Sequence, residues 1–562
     1  MISFYKYFKR AQNLVPHDYQ KKSIFLLISS MILLILDVFS IFLLVPLIIS
    51  LLKPDYQIDI LSFEFNSLYK PYISFFVFLF FVVKNYFSIY LNNRSAKIAF
   101  QLSSEYATLL GKHYVLGNYT EFKKQKKSSM IKDIIFISND FVSNFLLSIY
   151  SIIAELSLLF VILAISLYYY PSPSLIMVSL LVITLWVFKR FNHNAVKRIN
   201  ENRIKDYDLN MNHLTNLLNG YLSIKSPDVQ KKFLNRFKES NRILNSNYAK
   251  LHAIRINTSK QTEIILILIL CGMYAFLHLF SLEIDTVSFL SLFAAILFKA
   301  IPSINKLNVS ITNFNSHLFT LDTLEKRVSS LPRNNLNDVP LSFNSTIRIE
   351  SISFAYEESS YIFNNFSLTI NKGDYIGVTG KSGIGKTSLL NIIAKLIDPN
   401  SGNLYLDNQA INNTNKHSYF RLITYLTQKP FIYEGTILEN ICLGDEKYDE
   451  QKLHHILEAF ELKSVIEKLS KGLHTYIGIE GNVLSGGQLQ RLCLTRALMN
   501  PSEILILDEA TNNLDSTTEK KVLLYLKEYA LKNRLTVIST AHHIYKNESI
   551  HTTIINLEKD EV

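Results

Sequence analysis

An eight-residue loop, GKSGIGKT at residues 380–387, constrains this 562-residue chain more than any other feature. It matches the pattern GxxxxGKS/T, in which glycines let successive backbone N–H groups turn inward around phosphates. Residues 375–379 before it are apolar and predict a buried strand, while residues 388–395 after it have the apolar spacing of a helix. A phosphate loop requires this strand-to-helix context, so the sequence predicts an α/β nucleotide-binding domain. Alone, the octapeptide would also fit a chance match or a nucleotide fold that has lost its activity.

The side chains of this loop predict how a nucleotide is held. Lys386 is expected to reach the terminal phosphates, and the hydroxyl of Thr387 is expected to hold Mg²⁺. The other loop residues expected to contact ATP are Gly380, Ser382, Gly383, Gly385 and Ser388.

A second motif, ILILDEAT, occupies residues 504–511. An apolar run that ends in two carboxylates predicts a parallel strand whose carboxyl end opens on a ligand crevice. Asp508 is then near Mg²⁺, and Glu509 is placed to orient and polarise water at the γ-phosphate. Without the phosphate loop, the same pair would be two solvated carboxylates at the end of a strand.

A third motif, LSGGQ, precedes a helical pattern at residues 489–498. It puts Ser485, Gly486 and Gly487 at a helix N-terminus, where free N–H groups and the helix dipole favour an anion, and Gln488 completes the predicted ATP contacts. This pentapeptide between a phosphate loop and a DEAT strand resembles the signature of ATP-binding cassette (ABC) transporters. The resemblance covers residues 340–550.

The resemblance implies roles for four further residues beside Glu509. Tyr356 corresponds to the aromatic that stacks on adenine, and Gln428 to the glutamine that senses Mg²⁺ and the transmembrane partner. His542 corresponds to the histidine that contacts the γ-phosphate, and Asp515 to the aspartate that communicates across the dimer. In this family the LSGGQ segment closes over ATP held by the opposite subunit. One chain carries one cassette, so the resemblance implies a dimer, most simply a homodimer.

Three departures from the family pattern are visible. His543 stands where an arginine usually follows the histidine, and Asn512 and Asn513 replace the usual Ser-Ala. In the loop before LSGGQ, Ile479 stands where a glutamate is common, with Glu480 one place later. None of these departures removes a catalytic group. They bear on how tightly hydrolysis is coupled to motion.

The composition indicates a membrane protein, with 48% hydrophobic residues and a mean hydropathy of +0.16. A bilayer-spanning helix needs about 20 mostly apolar residues. The candidate spans are residues 23–52, 71–92, 139–169, 174–191, 260–280 and 287–311. The predicted fold class is therefore an α-helical six-span transmembrane domain plus an α/β P-loop ABC nucleotide-binding domain. The predicted boundaries are 1–327 for the transmembrane domain, 328–346 for a linker and 347–562 for the nucleotide-binding domain.

The net charge of +11 could indicate a protein that binds nucleic acid. The basic residues are instead concentrated in particular loops, which indicates the side of the membrane that each loop faces. Residues 53–70 contain three acidic residues against two lysines, and the charged residues of 281–286 are all acidic, so both loops are expected outside. The N-terminal stretch and residues 93–138 and 192–259 have an excess of basic residues and are expected in the cytoplasm. Both ends then lie inside, which puts the cassette with ATP in the cytoplasm. The apolar region after residues 1–22 is too long for a secretory signal. We expect no nucleic-acid partner, and we expect a multi-pass protein of a bacterial inner (plasma) membrane whose basic segments also attract membrane lipid.

Four of the charged residues within the predicted spans fall at a similar depth. Asp37, Lys84, Glu155 and Lys299 each lie roughly 20 Å below the outer edge at ~1.5 Å of rise per residue, so they are expected to share one layer. They would either pair with one another as structural groups, with Lys84 alternatively reaching toward the cytoplasm, or serve function. In the functional interpretation, Lys84 and Lys299 line the central cavity and attract an anionic head group such as a lipid pyrophosphate.

The transmembrane region carries a second resemblance. LDVFSIFLLVP at residues 36–46, AEL around Glu155 and IPSINK at residues 301–306 are similar to the bacterial flippase of lipid-linked oligosaccharides and to its O-antigen-flipping relatives. This implies ATP-driven movement of a lipid-linked oligosaccharide or similar amphipathic glycolipid. The alternatives are export of a bacteriocin-like peptide, export of a lipid or drug-like molecule, and an ATP-gated channel or receptor. The spans exclude soluble ABC proteins.

The implied machine is an exporter with domain-swapped six-helix bundles. Residues 118–122 and 209–221 resemble the short elements that press into the cassette near Gln428. ATP binding would join the cassettes, these segments would carry the closure to the helices, and hydrolysis would reset the cycle.

Overall fold

The computed structural model describes most of the chain in two compact units. The described residues are 2–52, 58–60, 63–65, 70–169, 171, 199, 202, 205–279, 286–329, 339–356, 361–445, 447–478, 483–500, 502–540 and 551–558. The first unit comprises Met1–Gly117 and Glu121–Pro332, and the second comprises Asn118–Thr120 and Arg333–Val562.

Helices build the first unit, and the helix at residues 119–124 begins with two residues of the second unit. They are α1 Ile2–Leu14, α2 Gln20–Leu52, α3 Lys70–Leu116, α4 Tyr119–Lys124, α5 Lys127–Lys132, α6 Ser138–Asp140, α7 Leu147–Tyr169, α8 205–219, α9 Pro227–Leu279 and α10 Thr286–Ser329. A short antiparallel ladder joins β1 (Ile58–Ile60) to β2 (Phe63–Phe65) inside the predicted external loop.

Five of the six predicted spans fall on these helices, and the span at residues 174–191 lies outside the described residues. Within the described part of the chain, three helices are long and apolar enough to cross a membrane by length and composition: His17–Ser40, Ser74–Leu116 and Lys127–Tyr168. The number six remains a prediction.

Two π-helical turns in the third of these segments were not predicted from the sequence. They are Asp133–Ile137 and Phe141–Leu146, on either side of α6. A π turn adds a residue to one helical turn and so rotates the face that follows it. Phe141 and Phe145 of the second π turn are fully buried, and Phe145 stacks on Phe314 with ring centroids 5.2 Å apart. These contacts join the segment to α10.

Two sheets and their helices form the second unit. The strands are β3 Thr346–Phe354, β4 Phe363–Asn371, β5 Tyr375–Thr379, β6 Ser401–Leu406, β7 Gln409–Ala410, β8 Ile423–Leu426, β9 Gly435–Thr436, β10 Tyr476–Ile477, β11 Ile504–Asp508, β12 Thr536–Thr540 and β13 Thr553–Asn556. The helices are α11 Lys386–Ile393, α12 Lys416–Arg421, α13 Ile437–Cys442, α14 Glu450–Ala459, α15 Lys463–Glu467, α16 Gly486–Met499 and α17 Ser516–Asn533.

The five-stranded sheet has the order β13-β5-β12-β11-β8 and is parallel throughout. The four-stranded sheet, β4-β3-β6-β7, is antiparallel. Parallel strands are covered on both faces, which explains why β5 and β11 read as continuous apolar runs. Their carboxyl ends meet at one edge, so the phosphate loop after β5 lies beside the carboxylates at the end of β11. The predicted strands before the loop and in DEAT, and the predicted helices after the loop and after LSGGQ, are confirmed.

Candidate functional site

The phosphate loop follows a path that only glycine can take at two positions. Gly385, just before α11, has φ +115°, and a Cβ there would lie 2.5 Å from Cγ2 of Ile362. Gly380 has φ +145°, and a Cβ there would lie 2.9 Å from Cγ2 of Ile384. Both backbone conformations are strained for any residue with a side chain. The glycines therefore let the loop wrap tightly over the N-terminus of α11, where free N–H groups favour an anion.

Lys386 lies inside this loop. Its side chain is buried, and Nζ donates hydrogen bonds to the carbonyl oxygens of Gly380 at 2.6 Å and Lys381 at 3.3 Å. The ammonium group is thus held against the loop's own backbone. A positive charge in this position suits the terminal phosphates of a nucleotide.

Two side chains whose oxygen atoms can bind a metal ion meet at the carboxyl end of the parallel sheet. The Thr387 hydroxyl donates to Oδ1 of Asp508 at 3.1 Å, so residues 121 positions apart in sequence are in contact. Hydroxyl and carboxylate oxygens are the ligands that Mg²⁺ prefers, so the predicted pair fits this ion. Burial raises the pKa of the Asp508 carboxyl, against hydrogen bonds from Thr387 and Thr540 that favour its charged form. A divalent cation at this point would offset the cost of the buried charge.

Two side-chain amides hold Glu509, the residue after Asp508. Oε2 of Glu509 accepts from Nε2 of Gln428 at 2.8 Å and from Nδ2 of Asn512 at 2.9 Å. The Glu509 backbone is in the left-handed region, with φ +53°. The carboxylate therefore has a defined direction beside the Thr387 and Asp508 pair, which is what a group that orients water requires.

Sequence reasoning missed two hydroxyls that hold Asp508. The Tyr425 phenol donates to Oδ2 at 3.3 Å, and the Thr540 hydroxyl lies 3.3 Å from Oδ1. Burial, together with the Asp508 charge, raises the pKa of Tyr425, so the phenol keeps its proton. The signal for Thr540 was a polar residue at the end of the buried strand TVIST, whereas nothing in the sequence around Tyr425 marked it.

The signature segment forms a capped helix start. Ser485 Oγ accepts from the Gln488 backbone N–H at 3.3 Å, and Oε1 of Gln488 accepts from the Ser485 N–H at 2.8 Å. This reciprocal pair is a capping box. A Cβ on Gly487 would lie 3.0 Å from the carbonyl oxygen of Asn513, and the Asn513 N–H donates to Oε1 of Gln490 at 3.0 Å. The signature helix is thus tied to the loop that follows Glu509.

The other predicted site residues have separate positions. Tyr356 is half-exposed, packs edge-on against Phe354 and lies 3.2 Å from the Ser388 hydroxyl. Asp515 caps α17 by accepting from the Thr518 N–H at 3.0 Å, and hydrogen bonds from Thr517 and Thr518 hold the pKa of Asp515 below its usual range. His542 lies outside the described residues.

In the first unit, three of the four charged residues that were expected to share one layer are in contact. Asp37 Oδ1 accepts from Lys299 Nζ at 2.7 Å and also from Lys84 Nζ. Glu155 instead accepts from the Ser303 hydroxyl at 2.7 Å and lies 3.6 Å from Lys306 Nζ. The pairing that the sequence offered as one interpretation is therefore present for Asp37 and both lysines. Two ammonium groups on one carboxylate leave this cluster with a formal charge of +1.

A cavity of about 410 Å³ lies beside these groups in the first unit. Asp37, Glu155 and Lys306 contribute charges to its wall, and Asn92 contributes an amide. Serine and leucine side chains, with Tyr150 and Ala154, complete the lining. Lys84 and Lys299, which were predicted to line a central cavity, are not among the residues that line this one. A wall of this kind offers both polar and apolar contacts to a ligand.

Comparisons with known proteins agree with this geometry. Residues 363–512 match the family model of the ABC transporter domain. The lactococcin-A transport/processing ATP-binding protein LcnC of Lactococcus lactis is 36% identical over 210 residues, which are 37% of this chain and 29% of that protein. The multidrug resistance-like ATP-binding protein MdlB of Buchnera aphidicola is 28% identical over 375 residues, 65% of this chain and 63% of that protein. This chain spans less than two thirds of the length of the curated relatives it matches.

The match to a solved structure extends over nearly the whole chain. A bacterial Atm1-family ABC exporter with ATP bound superimposes with a TM-score of 0.79 at 16% sequence identity, covering 96% of this chain and 94% of that one. At this identity the likeness shows the fold, which is a helical region joined to an ABC nucleotide-binding domain.

Proposed function

We propose that this chain, in which residues 363–512 are an ABC transporter ATPase domain within an exporter fold, is one subunit of a homodimeric ATP-driven exporter. The observation that carries the proposal is the pair of contacts at the end of β11. Thr387 bonds to Asp508, and Glu509, the next residue, is aimed by Gln428. An apolar helical region before the domain supplies the membrane path.

In the proposed cycle, the loop glycines and Lys386 hold the phosphates of ATP, and Tyr356 stacks on adenine. Thr387 and Asp508, together with Gln428, would hold Mg²⁺, which would neutralise negative charge on the phosphates when bound. Glu509 orients the attacking water and accepts its proton, because the amides of Gln428 and Asn512 fix its direction. His542 contacts the γ-phosphate in this proposal.

The dimer follows from the signature helix. Ser485, Gly486 and Gly487 of one copy would close over ATP held by the other, with Asp515 communicating between the two sites. The 14-residue length of α16 supports this, because a long helix presents a full dipole at its N-terminus. Residues 118–122 would carry the closure to the helices.

The proposed cargo is a lipid-linked oligosaccharide or a similar amphipathic glycolipid with an anionic head group, moved across a bacterial inner membrane. The net positive cluster of Asp37, Lys84 and Lys299 supports an anionic group, and the mixed wall of the neighbouring cavity supports an amphipathic molecule. The name of the lactococcin-A relative favours the alternative, export of a bacteriocin-like peptide.

Reconstitution tests the proposal. Purified protein in proteoliposomes with ATP and Mg²⁺ should hydrolyse ATP steadily and move a fluorescent lipid-linked oligosaccharide, and Glu509→Gln should stop both. Lys84→Gln and Lys299→Gln should slow movement of the lipid, whereas Lys260→Gln, at a side chain of the first unit that is 73% exposed, is the matched control. Movement of a bacteriocin-like peptide instead would favour the alternative. A wild-type protein that binds ATP without steady hydrolysis would refute the exporter and favour an ATP-held channel or receptor.

A further inference from the structure

Thr540, the last residue of β12, lies directly beside the residues that hold and hydrolyse ATP. It pairs in register with Asp508 of the neighbouring strand β11 and is 3% exposed. Its hydroxyl oxygen accepts a hydrogen bond from the Glu509 backbone N–H at 3.0 Å. The same hydroxyl lies 3.3 Å from Oδ1 of Asp508 and 3.5 Å from the carbonyl oxygen of Leu507. One hydroxyl therefore contacts both the metal-binding aspartate and the backbone of the glutamate.

One contact restrains the backbone of Glu509, and the other holds the carboxylate of Asp508. Glu509 has φ +53°, a conformation that is costly for a residue with a side chain unless its surroundings hold it. The hydrogen bond from its N–H to Thr540 is one such restraint. Asp508 Oδ1 also accepts from Thr387 at 3.1 Å, so the Thr540 hydroxyl and the Thr387 hydroxyl approach the same carboxylate oxygen. Hydrogen bonds to a charged oxygen are stronger than those between neutral groups.

We propose that Thr540 is a positioning residue for ATP hydrolysis, whose hydroxyl sets the Asp508 carboxylate for Mg²⁺ and the Glu509 backbone for water at the same time. The inference rests on the proposed hydrolysis at this site. A buried threonine in a strand is more often a purely structural group, so the test must separate the two roles.

Thr536 at the other end of β12 provides a matched control. It is fully buried, and its hydroxyl accepts the Gly373 backbone N–H at 2.9 Å, as Thr540 accepts that of Glu509. Thr536 pairs with Ile504, at the opposite end of β11 from Asp508. Thr536→Val and Thr540→Val thus remove the same kind of bond from the same strand at nearly unchanged volume. A structural role predicts equal effects of the two changes.

The experiment uses full-length protein in lipid nanodiscs and two readouts. The first is the affinity for Mn²⁺, measured by electron paramagnetic resonance with a non-hydrolysable ATP analogue. The second is ATP hydrolysis, separated into kcat and KM. Thr540→Val should weaken Mn²⁺ binding by about tenfold and lower kcat by about 10- to 100-fold, as expected for a lost hydrogen bond to a charged group, with a KM change under about twofold. Thr540→Ser keeps the hydroxyl and should stay within about threefold of wild type in both readouts.

Thr536→Val should lower the melting temperature as much as Thr540→Val and leave both readouts unchanged. The proposal is overturned if Thr540→Val binds Mn²⁺ like wild type, if Thr536→Val reproduces its defects, or if Thr540→Ser is as impaired as valine. A wild-type protein without ATP turnover would refute the proposed function, whereas the Mn²⁺ comparison would still decide the role of Thr540.

Discussion

Replacing Arg496 with methionine tests how the signature helix is joined to the segment after Gln428. Arg496 lies on α16, is 8% exposed and donates to two backbone carbonyls, Asn440 at 2.6 Å and Phe431 at 2.7 Å. It also donates to Oδ1 of Asn440 at 3.1 Å. Asn440 in turn accepts from the Tyr433 N–H at 3.2 Å through the same Oδ1. The guanidinium therefore joins the signature helix α16 to the backbone at Phe431 and at Asn440.

The loss of local stability expected for Arg496→Met follows from these three hydrogen bonds. A hydrogen bond from a charged donor contributes about 1.5–3 kcal/mol, so three contribute about 4.5–9 kcal/mol before any correction. Removing the buried guanidinium relieves a desolvation cost of several kcal/mol, which offsets part of this loss. The net effect of Arg496→Met is about 3 kcal/mol of local stability. This corresponds to roughly a 100-fold increase in the population of the open segment.

Amide hydrogen exchange on the full-length protein measures that population. Exchange at Tyr433 and through α13 should accelerate by roughly 100-fold in Arg496→Met. Arg491→Met is the matched control, because Arg491 lies on the same helix and donates to the Phe460 carbonyl at 2.9 Å, away from Tyr433. Acceleration at Tyr433 below about threefold, or an equal acceleration in Arg491→Met, would show that the three bonds do not hold this segment.

Three further outcomes are expected. Glu509→Gln should lower ATP turnover by at least ~100-fold while leaving ATP affinity intact, as hydrolysis and nucleotide-binding assays on one preparation would reveal. Tyr425→Phe removes the bond to Asp508 at 3.3 Å but keeps the ring, so turnover should need a several-fold higher Mg²⁺ concentration, measured by titration of the metal. Burial raises the pKa of Asp407, but backbone and side-chain hydrogen bonds outweigh it and lower this pKa from 3.8 to about 2. The stabilisation is present above pH 3.8 and is lost as pH falls from there through about 2, so part of it is gone at pH 3. Asp407→Asn should therefore lower the melting temperature more at pH 7 than at pH 3, and the reverse ranking would count against the assignment.

Local sequence patterns predicted the elements that carry the motifs. The strand before the phosphate loop, the strand of DEAT and the helix after LSGGQ are present at the predicted positions, because apolar period and glycine placement act over a few residues. The same patterns named Thr387 and Asp508, which the structure brings into contact. The domain boundaries and the roles of Tyr356 and Asp515 remain predictions.

Contacts between distant segments could not be read from the sequence. Tyr425 and Thr540 reach Asp508 from 83 and 32 residues away, through strand neighbours that no local pattern specifies. The two π-helical turns were missed because an apolar helix has the same composition with or without an added residue in a turn.

The sequence by itself determined the chemistry available to this protein: a phosphate loop, a pair of carboxylates, a signature helix and long apolar segments. Only the tertiary structure decided which groups bind to one another. Asp37 accepts hydrogen bonds from both Lys84 and Lys299, and the Thr540 hydroxyl contacts both Asp508 and the backbone of Glu509. The physical reason is that motifs express short-range backbone and hydrophobic preferences, whereas partner choice depends on strand order, helix rotation and burial, which arise only when remote segments pack.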